Sequence, residues 1–182
     1  MKLATRPLSL TLNGQAVGPL DVPEGMMMID FLHEVQNLTG ARYGCGIGVC
    51  HACTVIVDEP GGPRELRSCI TGAHHFQGRR VRTIEGIAAR DAAGALVLSP
   101  LQQAYLDHFS FQCGYCTPGF VIGATVLLER LARQPVARDQ VEAVVSGALT
   151  AHLCRCTGYV RYYEAVKAVI LATPGLTTPQ AG

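Results

Sequence analysis

Apolar and polar positions divide the chain into two halves with different periods. From Leu8 to Leu12 they alternate, as in a half-buried strand, and Asn13-Gly14 supplies a two-residue type I′ turn. Gln15 to Val22 is the expected return strand, followed by Pro23-Glu24-Gly25. Helical spacing over 28–35 places Ile29, Leu32 and Val35 on one face, with a stop near Thr39-Gly40. Met26, Met27 and Met28 read as core and loop filler. Thr54 to Val57 is a β-branched strand, 58–63 a turn cluster and Glu65 to Ser68 the partner strand. Val81-Arg82-Thr83 is expected to close the sheet. Together these elements predict a small mixed sheet crossed by a helix, an α+β domain of the β-grasp kind over residues 1–86.

The period changes after Glu85-Gly86. Residues 87–97 are Ala/Gly-rich and aperiodic, and predict a linker with one short helix. Ser99-Pro100-Leu101-Gln102 combines an N-cap serine, proline at the first helical position and glutamine three residues after the cap. Leu101, Ala104, Tyr105 and His108 then share a face. A second helix begins at Thr117-Pro118, with Val121, Ala124, Leu128 and Leu131 inward. A third carries Val141, Val144, Val145 and Ala148, and a fourth runs from Tyr162 to Leu171 before Pro174-Gly175. Short links between them predict a four-helix bundle over residues 87–182.

Composition removes some functions from consideration. The chain has 182 residues, 48% of them hydrophobic, and a net charge of +1. It has no run of eighteen apolar residues, so direct membrane insertion is not expected. The near-neutral charge gives no reason to expect nucleic acid as a partner. The opening Met1-Lys2-Leu3-Ala4-Thr5-Arg6-Pro7 is too short and polar for a signal peptide. The expected location is therefore cytoplasmic, or periplasmic if a signal-bearing partner exports the folded subunit. No nucleophile–base set or dinucleotide fingerprint stands out, so no catalytic residue is assigned to this chain.

The chemistry lies in eight cysteines, which fall into two sets of four. Cys45, Cys50 and Cys53 have the C-x4-C-x2-C spacing of plant-type [2Fe–2S] ligation, and Cys69 follows after a strand. Glycines 44, 46 and 48 suit a loop that must turn sharply and aim backbone N–H groups at cluster sulfur. The second set is Cys113, Cys116, Cys154 and Cys156, one pair between the first two helices and one between the last two. Two helical hairpins would bring these thiols to one end of the bundle. Four thiolates also suit zinc, and a C-x2-C pair alone suits a redox dithiol, although the latter leaves Cys154 and Cys156 unexplained. Four disulfides are the solution of smaller secreted chains with poor cores. No histidine replaces a cysteine in either set, which argues against a Rieske centre. Arg155 is either an exposed charge or a partial counter-charge for a cluster. His74-His75 reads as surface loop, and Tyr159, Tyr162 and Tyr163 as packing at the bundle end.

Four segments carry a family resemblance: 43–55, 82–86, Gln112-Cys113-Gly114-Tyr115-Cys116-Thr117-Pro118-Gly119 and Leu153-Cys154-Arg155-Cys156-Thr157-Gly158-Tyr159. They resemble the small iron–sulfur subunit of molybdenum hydroxylases, the xanthine dehydrogenase and aldehyde oxidoreductase family, from about Leu8 to Ala172. The resemblance implies a plant-type ferredoxin-like β-grasp domain, a helical [2Fe–2S]-binding domain, and two [2Fe–2S] clusters in series. It also implies a large partner subunit that holds molybdopterin, in the cytosine dinucleotide form, and oxidises an aldehyde or a heterocycle. Electrons would pass to a cytochrome c or a flavin-type acceptor. By the same resemblance Gln112 and Cys156 approach the pterin, and the second cluster takes electrons first. A free-standing two-domain ferredoxin-like carrier is the alternative, although a lone carrier has no need of the second domain. The chain departs from the family pattern in three places. His51 stands where glycine is common, Ala151-His152 where glycine and asparagine are usual, and 58–67 promises a longer hairpin tip. A histidine-bearing surface around the first cluster would favour a cytochrome as acceptor.

Overall fold

The computed structural model describes residues 4–179; Met1, Lys2 and Leu3, part of the segment weighed as a signal peptide, lie outside them. Strand β1 (Thr5–Leu12) turns at Asn13-Gly14 into β2 (Gln15–Pro23), as the alternation predicts. Beyond lie β3 (Thr54–Glu59), β4 (Gly62–Arg67) and β5 (Arg80–Arg82), and the sheet order is β2-β1-β5-β3-β4. β5 therefore does not close the sheet at an edge. It lies in the centre, parallel to β1 and antiparallel to β3. The hairpin of β3 and β4 is regular, with only Pro60-Gly61 between its strands, so 58–67 is paired strand around a tight turn rather than open loop.

The segment crossing the sheet is a short α1 (Met28–Asp30) that continues as a π-helical turn over Phe31–Val35. It ends before Thr39-Gly40, and Val35 is exposed rather than inward. The wider turn is the reason, because it breaks the 3.6-residue register that would align Val35 with Leu32. Phe31 and Leu32 pack with Leu8, Leu10, Val55, Val57, Phe76 and Val81 in the first core, whereas Ile29 packs beside Cys53 and Cys69. Residues 89–97 hold β6 (Ala89–Arg90) and β7 (Leu96–Val97) in place of the expected short helix. Asp91 caps this hairpin by accepting from the backbone N–H groups of Ala93 and Ala95, each at 2.9 Å.

The helical half contains α2 (Pro100–Asp107), α3 (Thr117–Arg133), α4 (Val141–Leu149) and α5 (Val160–Ala172). Ser99 and Gln102 form the reciprocal capping box that the sequence announces. The bundle core joins Leu101, Tyr105, Phe120, Leu127, Val145, Tyr162 and Val166. Leu127 is buried, whereas Leu128 is only partly so.

The two halves meet along α3, which packs on β3 and β4. Thr54-Val55-Ile56-Val57 is apolar without alternation because both of its faces are covered. Val55 and Val57 face the first core, so Ile56 faces α3. Strand register places Arg82 and Glu65 opposite Ile56, and Asp58 lies two residues along, all on that second face. A row of charges thus borders the seam with the bundle.

Candidate metal centres

The first set of cysteines is assembled by the loop between the crossing helix and β3, together with the turn after β4. Gly46 and Gly48 adopt positive φ, at 69° and 77°, which lets the loop curl around the sulfurs. Cys45 and Cys50 lie within hydrogen-bonding reach of each other, as do Cys53 and Cys69. Burial raises the Cys45 thiol, but backbone N–H groups of Ile47, Cys50 and Val49 outweigh it and bring it down to about 6. Burial and the neighbouring Cys53 push Cys69 up to about 11. A loop that gathers N–H groups around sulfur is built to hold negative charge there.

The second set forms at one end of the bundle, as the hairpin argument predicts. Cys113 Sγ and Cys156 Sγ are 3.5 Å apart, and Cys116 and Cys154 are hydrogen-bonding neighbours. Thr157 Oγ1 lies 3.1 Å from Cys154 Sγ, and Tyr162 Oη lies 3.6 Å from Cys116 Sγ. Burial raises Cys154, but the Thr157 hydroxyl and backbone N–H groups lower it further. Cys116 is pushed up to about 11, chiefly by burial. Tyr162 is buried, stacks on Phe120 at 4.1 Å and bonds Thr117 Oγ1 at 2.7 Å. Its packing role stands, with a contact to a thiol added. Arg155 is exposed, and His74 bonds the Val22 carbonyl within a short 3-10 turn.

All eight cysteines are free thiols, which removes the disulfide reading. Each set has an inner and an outer part. Cys53, Cys69 and Cys154 are buried, whereas Cys113 and Cys156 are exposed beside exposed Gln112. The helical set is no more buried than the loop set, because the bundle end is open on one side. Between the sets lies a cavity of about 310 Å³ lined by Cys45, Cys50, Cys113, Cys116, Cys154 and Cys156. Two bonds cross the seam beside it: Leu153 N–H donates to the Cys50 carbonyl at 3.1 Å, and the Tyr115 hydroxyl to the Tyr43 carbonyl at 2.8 Å.

His51 does not form an outward-facing surface. Its backbone is left-handed, with φ at 59°, a conformation that explains why glycine suits this position. Its ring turns inward and meets buried His152 edge-on, with centroids 4.9 Å apart. Burial first, then His152 and Arg67, hold the His51 imidazole down at about 4, against an opposing pull from Glu65. The argument for a cytochrome from a histidine-bearing surface therefore loses its basis. Sequence reasoning noticed both histidines as departures but not that they meet, since 100 positions separate 51 from 152. It also missed Thr157 as a partner of sulfur.

Known proteins share this fold and order of domains. Residues 10–75 match the 2Fe-2S iron–sulfur cluster binding domain and residues 83–167 the [2Fe-2S] binding domain. The chain is 43% identical over 139 residues to the small subunit of nicotine 6-hydroxylase from Paenarthrobacter nicotinovorans, covering 76% of this chain and 74% of that one. Among solved structures, quinoline 2-oxidoreductase from Pseudomonas putida 86 matches with a TM-score of 0.74 and 33% identity, over 95% of this chain and 94% of that one. The aldehyde oxidoreductase from Desulfovibrio desulfuricans matches at 0.74 and 35%, over 94% of this chain but 18% of that one. With both halves matched in order and nearly the whole length covered, the chain belongs to the small iron–sulfur subunits of the xanthine dehydrogenase and aldehyde oxidoreductase family of molybdenum hydroxylases.

Proposed function

We propose that this chain is the electron relay of a molybdenum hydroxylase, with Cys45, Cys50, Cys53 and Cys69 holding one [2Fe–2S] cluster and Cys113, Cys116, Cys154 and Cys156 the other. The observation that carries this reading is the cavity onto which thiols of both sets open. Bound at these sites, the clusters supply two one-electron carriers in series. The chain's own residues do the rest. Backbone N–H groups around Cys45, and Thr157 and Tyr162 at the second set, set how much negative charge each site tolerates. The bonds from Leu153 and Tyr115 hold the two loops against each other.

We infer a domain boundary at 86/87, after the last strand of the five-stranded sheet and before the helical half. Gln112 and Cys156, both exposed at the bundle end, face the pterin of the large subunit, which carries it as the cytosine dinucleotide. That subunit selects an aldehyde or heterocyclic substrate, and the nicotine and quinoline enzymes among the relatives favour a nitrogen heterocycle. The acceptor, a flavin subunit or a cytochrome c, docks at the first loop, where Tyr43, Ile47, Val49 and Ile70 are exposed. Among the described residues no helix is long and apolar enough to cross a membrane.

EPR of the dithionite-reduced chain, with iron counted on the same sample, tests the relay. Two distinct [2Fe–2S] signals with about four irons per chain are expected. One signal, or zinc in the helical set, would reduce the chain to a single-cluster carrier.

A further inference from the structure

The seam between the two halves gathers a third group of donor atoms that the relay does not use. His51 comes from the first cysteine loop, Glu65 from β4 and His152 from the loop before Cys154. One ring nitrogen or carboxylate oxygen from each lies within 4.8 Å of the others. Their convergence follows from the fold. Glu65 faces the seam because its register partner is Ile56, and His152 enters because Gly123 on α3 has no Cβ to occupy the space of its ring.

The group is poorly satisfied as it stands. His152 is 1% exposed, and both its ring nitrogens are buried without a hydrogen-bond partner, as is Nδ1 of His51. Glu65 Oε2 approaches His152 Nε2 only to 3.4 Å, long for a charge-assisted hydrogen bond. That spacing suits a different arrangement. Two donors bound at about 2.0–2.1 Å to one tetrahedral ion stand roughly 3.3 Å apart.

We propose that His51, His152 and Glu65 bind one divalent transition-metal ion of the zinc class, pinning the sheet domain to the helical domain between the two cysteine sets. Two imidazoles and one carboxylate are a donor set for zinc, with water in the fourth position. Calcium and magnesium prefer all-oxygen sites. Binding draws the His51 ring inward by on the order of an ångström to reach bonding distance. Its role is to tie the two domains, with the fourth position left open to water rather than closed by a fourth side chain.

The test uses the full-length chain with its iron loaded, incubated with zinc sulfate and desalted. About one zinc per chain is expected to remain with iron unchanged, and its K-edge absorption should show nitrogen and oxygen at about 2.0–2.1 Å with no sulfur near 2.3 Å. His152→Asn and Glu65→Gln, each checked for full iron and unchanged cluster EPR, should retain zinc at least about tenfold more weakly. A sulfur shell would place the zinc in a cysteine set and overturn the proposal. Wild-type protein that retains no zinc, or variants that retain as much as wild type, would overturn it too. Should His152→Asn fail to load iron, Glu65→Gln and the wild-type shell decide the matter.

Discussion

Two glycines one turn apart on α3 show how much a single position can govern. A Cβ at Gly119 would overlap the backbone carbonyl oxygen of His51, whereas a Cβ at Gly123 would meet the His152 ring. Backbone in a packed loop yields less readily than a side chain. Gly119→Ala should therefore destabilise by about 1–3 kcal/mol through overpacking, despite the roughly 1 kcal/mol that alanine contributes in a helix interior. Gly123→Ala should cost less than Gly119→Ala, because a side-chain ring can turn where backbone cannot, although the buried His152 ring must give way. Chemical denaturation of both variants checks the contrast, and equal losses would show that the loop adjusts freely. The cysteines make a separate residue-level prediction. Cys69→Ser should remove the first cluster's EPR signal and spare the second, and Cys113→Ser should do the reverse, each with about two irons left per chain. The grouping of the cysteines into two sets needed no structure to be seen. The meeting of His51, Glu65 and His152 did, because it depends on strand register and helix docking across the whole chain.

α3 explains what the pattern of apolar positions can and cannot reveal at the scale of an element. Its residues 117–133 are apolar nearly all round, and periodicity picks out one stripe, toward the bundle through Val121, Ala124 and Leu131. The opposite stripe through Gly119, Ile122 and Glu129 serves the sheet, and Ile122 is the one large apolar residue among the three, too little to mark a second face. Leu128 packs on the bundle core as its spacing predicts, and Leu127 is buried in the same core beside it, so the inward face is wider than the stripe alone picks out. The capped start of α2 was legible because its chemistry is local, and the first hairpin for the same reason. The π-turn after α1 was not, since it has no composition signature, nor was the hairpin of β6 and β7, whose Asp91 and Gly94 mark a turn but whose two-residue strands are too short to alternate. The start of α5 carries the element's testable consequence. Tyr162→Phe keeps the stack on Phe120 but loses the bond to Thr117 and the contact with Cys116. A loss of about 1 kcal/mol is expected, together with a shift in the second cluster's potential and none in the first. Potentiometric EPR separates the two, and a second potential that stays unmoved would remove Tyr162 from the set of groups that tune that site.

For the molecule as a whole, relay function requires that two separately packed cores hold a fixed relation, and Arg82 is placed to fix it. Its guanidinium bonds Asp58 of β3 at 2.7 and 3.1 Å and Glu129 of α3 at 2.7 and 2.9 Å, so one side chain ties the sheet to the bundle with four hydrogen bonds. The side chain is 24% exposed and its partners 30% and 36%, so solvent screens the charges in part and burial energies for a dry ion pair do not apply. Arg82→Met removes the donors and leaves Asp58 and Glu129 facing each other uncompensated. The expected loss is about 1–3 kcal/mol, the range for leaving charged acceptors without partners. Part of it is repulsion between carboxylates, so raising ionic strength from about 0.1 M to about 1 M, where the screening length falls from about 10 Å to about 3 Å, should recover stability in the variant. Adding Glu129→Gln to Arg82→Met should also recover some, and the double-variant cycle gives the coupling between the two groups. If the clamp acts between the domains, unfolding of Arg82→Met should separate into two transitions, the sheet core reported by the first cluster's absorption and the bundle by far-UV circular dichroism. A single cooperative transition with unchanged midpoint, insensitive to salt, would mean that the apolar contact of Ile56 with α3 and the bonds at the cysteine loops hold the halves together without it.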